Sequence, residues 1–330
     1  MKSVHLVIPD LFLPKDFAAE VCAGLSLPAL QKLLARGRSE MLEPVPLENM
    51  LCELFGVPCH PEAPIAPISA AYDGLAAGCW LRADPVHLRL QRDQMLLLPN
   101  VDISADEAGE MCASLNEHFA GQGMEFFAPH PLRWYAKFDV LPDIKTVPMS
   151  QTYGRDVQGM LPRGAEAMHW HQLFNEIQML LHGHPLNEAR EARAALPIHS
   201  VWLWGCGCSE NTTLQKNYDI VSSDDVSAKM FAAASGVPFY EWSEQWREEK
   251  TNGKQLLVWT SLQSALQRGD LAAWRTAMQN FESGYAQPLW QMLRSGKVAY
   301  LQLDILGGDN IRRVRLARND TWAFWRRAKH

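Results

Sequence analysis

Apolar positions along the chain cluster into short unbroken runs, divided by stretches in which they recur at helical spacing. Residues 4–8 form a largely β-branched, apolar run closed by Pro9-Asp10, the pattern of a strand buried on both faces of a parallel sheet. Runs of the same kind occupy residues 198–204, the stretch opening at Asp219, residues 256–260 and residues 299–305. Helical spacing fills residues 27–35, 165–182, 226–235 and 271–292. Strand alternating with helix predicts an α/β fold with a doubly wound, mainly parallel sheet.

One region departs from that rhythm. Residues 80–99 read as two strands around an Arg92-Asp93 turn, Ser104-Ala-Asp-Glu is an N-cap signature for a helix reaching about Phe119, and residues 126–127 and 132–138 alternate like two more strands. This β-β-α-β-β order predicts a small α+β insertion domain at 80–140 within a main domain of 1–79 and 141–330. Residues 43–67 are proline-rich and interrupt a short helix around 47–55, as in an ordered covering loop.

Polar side chains with chemical potential concentrate in residues 175–207, where helix, turn and strand converge. Glu176, Gln178, His182, His184, Asn187 and Arg190 lie there, with Trp204, Gly205 and Gly207 at the strand end. His182 and His184 are two apart and straddle Gly183, so they do not share a helix face. Metal binding by them would need a third ligand, and hydrogen bonding at a helix end is the better reading; Gln178 and His182, four apart, suit a polar chain. Gly205 and Gly207 let the backbone approach a phosphate or another element. Asp10 falls just past a strand, where open α/β sheets bind ligands, and is read either as a metal or substrate ligand or as a turn residue. Ser222-Ser223-Asp224-Asp225 follows the same logic, as ligand site or N-cap. Arg312, Arg313, Arg315 and Arg318 alternate as on a solvated edge strand, with Trp322 and Trp325 beyond them.

Charge and cysteine usage narrow the function classes. A net charge of −6 with interspersed signs gives no nucleic-acid or anionic-membrane footprint. No apolar run reaches the roughly 20 residues that a spanning helix needs. Seven cysteines without CxxC spacing, and an N-terminus too short in apolar residues for a signal peptide, predict a cytoplasmic protein. Cys206 and Cys208 are read as inert thiols.

The segment HPLNEAREARAALPIHSVWLWGCG resembles an element of archaeal-type cofactor-independent phosphoglycerate mutases, members of the alkaline-phosphatase-like superfamily. LVIPDL, LPALQKLLARG and YDIVSSDDVSAKMFAAASGV are similar to further parts of that family in order, and NEIQMLLHGHPLN with WLWGCG is similar to the related RpfE-type regulatory proteins. The resemblance implies phosphoryl transfer at two metal ions held by Asp and His around a Ser nucleophile. Leu11 stands where the family has glycine after Asp10, the nucleophile position falls near Leu47, and no histidine occurs between His199 and His330. The expectation is therefore a phosphoglycerate-mutase-like protein with no catalytic residue, metal or cofactor. The nine residues of the 175–207 cluster, together with Asp10, would serve a small, phosphorylated ligand or a protein partner, or would be structural. The alternative is a metal-dependent phosphomutase using Asp10, Asp224, Asp225 or Asp304, and a third reading is a scaffold recruited through the Arg/Trp tail.

Overall fold

The computed structural model describes residues 2–59, 62–98, 101–246 and 253–323. Its strands are β1 (Ser3–Pro9), β2 (Arg38–Leu42), β3 (Cys79–Gln91), β4 (Gln94–Leu98), β5 (Met124–His130), β6 (Arg133–Phe138), β7 (Ser200–Cys208), β8 (Ile220–Ser223), β9 (Phe239–Glu241), β10 (Lys254–Val258), β11 (Tyr300–Leu306) and β12 (Ile311–Ala317). The chain divides into two compact units, one of Met1–Leu47 with Lys216–His330 and one of Glu48–Gln215. The second unit takes in the 80–140 segment together with flanking residues that the sequence pattern assigned to the main domain.

The first unit is built on a seven-stranded sheet in the order β2-β12-β11-β1-β10-β8-β9. Pairing is parallel from β11 to β9 and antiparallel at β12 and β2, so the expected mixed α/β fold with a mostly parallel sheet is present. One face is packed: Leu6, Ile8, Leu257, Leu301 and Leu303 meet Leu30 and Leu33 of the helix Pro28–Arg36 and Leu289 and Leu293 of the helix Gln287–Ser295. Each such leucine contributes about 2 kcal/mol by leaving water. β1 is not apolar on both sides. His5 Nε2 lies 2.8 Å from Asp304 Oδ2, and Arg313 of β12 grips the same carboxylate from Nε at 2.7 Å and Nη2 at 2.9 Å.

Two expectations change here. The arginine-bearing β12 is not an edge strand: it pairs with both β11 and β2, and β2, a short polar run without the usual strand signature, forms the edge. Trp325 lies outside the described residues. The helix expected over 271–292 is three pieces, Leu271–Phe281, a π-helical turn Glu282–Ala286 and Gln287–Ser295. Pro288 explains the widening, because its ring removes one N–H and crowds the carbonyl four residues back. The turn aims the Glu282 carboxylate at the start of Pro28–Arg36, where Ala29 N–H donates at 2.7 Å and Leu30 N–H at 2.9 Å; Leu27 supplies no side-chain cap.

In the second unit β4-β3-β6-β5 form an antiparallel sheet, and β7 pairs with β3 as well. The run at 198–204 was expected in the parallel sheet, but β7 is antiparallel to β3, from Cys208 opposite Cys79 to Ser200 opposite Val86. A continuous apolar run marks burial on both faces and says nothing of which strand lies alongside. That register brings Cys79 and Cys208 into a disulfide, correcting the reading of Cys208 as an inert thiol. The helix Ala105–His118 carries the predicted cap as a full capping box, with Glu107 N–H donating to Ser104 Oγ and Ser104 N–H to Glu107 Oε2.

Candidate functional site

The carboxyl ends of the parallel strands hold Asp10, Asp224 and Asp225. Asp10 adopts a left-handed backbone (φ 55°) just past β1, its N–H donating to Leu306 O at 2.9 Å. Asp224 Oδ1 accepts from Thr260 N–H at 2.7 Å and Thr260 Oγ1 at 3.2 Å, while Oδ2 accepts from Ser261 Oγ at 2.5 Å. Asp225 caps the helix Val226–Ala234, accepting from Ala228 N–H at 2.9 Å, and burial pushes its carboxyl up. Asp304 is not at the strand end: it sits mid-strand on the polar face, fully buried. Burial alone would raise its pKa, but the hydrogen bonds from His5 and Arg313 outweigh burial and hold it at about 2. Among the described residues no group of three or more His, Cys, Asp or Glu is placed to hold a metal ion.

The 175–207 cluster separates into buried and exposed members. Asn187 is buried; its amide donates to Leu181 O at 2.6 Å and Ile198 O at 2.8 Å, and its Oδ1 accepts from Ile198 N–H at 2.8 Å. His184 caps the helix Pro185–Ala192, accepting from Leu186 N–H at 3.2 Å, and its Nε2 meets Ser114 Oγ at 2.9 Å. Arg190 is fully buried and divided among Leu196 O, Asp102 O and the Glu107 carboxylate. Every one of these polar groups therefore already has a protein partner. Glu176 and His182 are exposed instead, and Glu176 faces His118 at 3.5 Å.

Trp204, Gly205 and Gly207 belong to a different neighbourhood of the same unit. Trp204 Nε1 donates to buried Asp84 at 2.8 Å, whose carboxyl is pushed up by burial against the opposing effect of Arg82. Gly205 has φ +71°, and Cys206 N–H donates to Glu62 Oε1 at 2.6 Å. A Cβ on Gly207 would stand 2.5 Å from Pro64 Cβ, and one on Gly205 3.1 Å from Ile65 Cβ. The two glycines seat the strand under the helix Ile65–Tyr72; the close approach they permit is to another element, not to a phosphate.

A cavity of about 290 Å³ in the first unit was not anticipated. Its walls include Tyr240, Trp242 and Trp246, and its floor Ser222, Gln255 and Leu257. The signal available in sequence was the aromatic density of FYEWSEQW directly after β8 and its helix, which periodicity alone does not assign.

Comparison with known proteins places this geometry in a lineage. No family model matches the chain. It is 26% identical over 202 residues to the 2,3-bisphosphoglycerate-independent phosphoglycerate mutase of Methanosarcina mazei, covering 56% of this chain and 49% of the relative. The enzyme of the same description from Methanosarcina acetivorans is 26% identical over 196 residues, covering 54% and 48%. The chain thus spans about half the length of the curated relatives it matches, and it is distantly related to archaeal cofactor-independent phosphoglycerate mutases. Among solved structures a Pyrococcus horikoshii protein shares the fold at TM-score 0.56 and 12% identity, over 96% of this chain and 87% of that one. A cofactor-independent phosphoglycerate mutase from Thermoplasma acidophilum superposes at TM-score 0.48 and 14% identity, over 96% and 89%.

Proposed function

We propose that this is a phosphoglycerate-mutase-like protein of alkaline-phosphatase-like fold that has lost the two-metal phosphotransfer centre and works without catalysis, as a regulatory or small-ligand-binding protein of the RpfE type. The observation that carries the reading is that the carboxylates of Asp224 and Asp304 are already engaged by protein donors. Both oxygens of Asp224 accept from Thr260 and Ser261, and both of Asp304 accept from His5 or Arg313. A divalent ion would have to displace those donors and would still lack imidazole ligands from the C-terminal half, since no histidine occurs between His199 and His330. The RpfE assignment rests on NEIQMLLHGHPLN and WLWGCG, and the partner is a small, phosphorylated molecule or a protein. The reading includes a cytoplasmic location, where the reducing pool works against the Cys79–Cys208 bridge. No described helix is long and apolar enough to cross a membrane.

The test is metal analysis of the purified protein together with a phosphoglycerate mutase assay in added manganese. The expected result is substoichiometric metal and no turnover. Stoichiometric metal, or turnover that Asp224→Asn abolishes, would overturn the reading in favour of a metal-dependent phosphomutase with rearranged ligands.

A further inference from the structure

The aromatic cavity has the features of a built binding site. Trp242 stacks on Tyr285 with centroids 4.1 Å apart and planes 13° from parallel, and Trp259 lies 5.7 Å from Trp242 at 11°. Tyr285 comes from the π-helical turn, a local widening that recurs at functional sites, and its hydroxyl donates to Ser243 O at 2.8 Å. The rings are therefore held in near-parallel planes before any ligand arrives, which lowers the ordering cost of stacking.

Two polar groups of the lining stand unused. Gln255 is only 4% exposed, and its Oε1 accepts from Trp246 Nε1 at 3.3 Å. Because an indole N–H can only donate, that contact fixes the amide orientation and leaves the NH₂ as donor, without a partner among the described residues. The Ser222 hydroxyl on the neighbouring strand likewise has none. The lining's one charged group, the Glu241 carboxylate, is paired with Lys229 at 2.7 Å, and Lys2 Nζ stands 5.1 Å from the Trp246 ring centroid. That carboxylate is already paired and offers a cationic ligand no free counter-charge, while the parallel aromatic faces match a flat, conjugated ligand. The volume lies at the small end of the ligand-pocket range.

We propose that this cavity binds a small planar heterocycle, of nucleobase to nucleoside size, which stacks along the Trp242–Tyr285 array and accepts hydrogen bonds from the Gln255 amide and the Ser222 hydroxyl. None of Asp10, Asp224, Asp225 and Asp304 lines the cavity, so the proposal stands whether or not the protein turns over phosphoglycerate.

Titration of the full chain with adenosine, by calorimetry and ligand-observed NMR, tests it, with glucose and choline as comparisons. Saturable adenosine binding is expected, weakened about tenfold in Gln255→Leu and about threefold in Ser222→Ala, with circular dichroism unchanged in both. Absence of saturable adenosine binding, or binding unaltered in both variants, would overturn the proposal. Preference for glucose would make the cavity a sugar site and preference for choline a cation cage, and either overturns the heterocycle. None of these outcomes touches the metal and mutase measurements, so the two readings fail separately.

Discussion

Asn187 shows how a residue's surroundings decide between chemistry and architecture. Its side chain satisfies two backbone carbonyls and one N–H, drawing the end of the helix Ala167–His182 to the residues that lead into β7. Truncation would leave the N–H and C=O of Ile198 unpaired and take from Leu181 O one of its two donors, the other being His184 N–H; each orphaned group costs about 1–3 kcal/mol. Asn187→Ala is therefore expected to destabilise by about 3 kcal/mol in urea denaturation, whereas Glu176→Ala, at an exposed site, should leave the midpoint within error. Equal effects of the two substitutions would contradict a clasp made by Asn187. From sequence the residues of this cluster looked alike, because spacing reports which side chains are near in the chain and not which ones the second unit buries.

Among elements, β7 was the least predictable from local pattern. Its composition marks a buried strand correctly, but its partner is β3, far away in the chain. The Gly205 and Gly207 spacing permitted two meanings at sequence level, and the Pro64 and Ile65 contacts select the packing one. Gly207→Ala would force a Cβ against Pro64, and overpacking of that kind costs roughly 1–3 kcal/mol. The expected readout is a lowered thermal midpoint with unchanged adenosine affinity, since the cavity residues belong to the other unit. The capping box at Ser104, by contrast, was fully predictable, because its two hydrogen bonds involve residues three apart.

For the whole molecule, the polar side of the seven-stranded sheet sets a pH dependence. Asp304 has its pKa lowered in the folded state, from the usual 3.8 to about 2, so it binds a proton more weakly folded than unfolded. Its stabilisation is fully present above the unfolded value and is lost as pH falls through the folded one. The shift corresponds to roughly 2 kcal/mol. Stability measured from pH 5 down to pH 2 should therefore decline less steeply in Asp304→Asn than in the parent chain, although the variant starts lower. A parallel decline in both would exclude Asp304 as a contributor.

Residue type and neighbours within a few positions were enough to read the alternating core of strands and helices, the capped helix after Ser104 and the lack of histidine between His199 and His330. The folded chain was needed to see that β7 pairs with β3, that β12 is interior to its sheet, that Cys79 meets Cys208, and that Gln255 and Ser222 open into an aromatic cavity. Those outcomes join residues tens to hundreds of positions apart. Hydrophobic burial is nondirectional, so it fixes which residues leave water, while strand register and packing fix which of them meet.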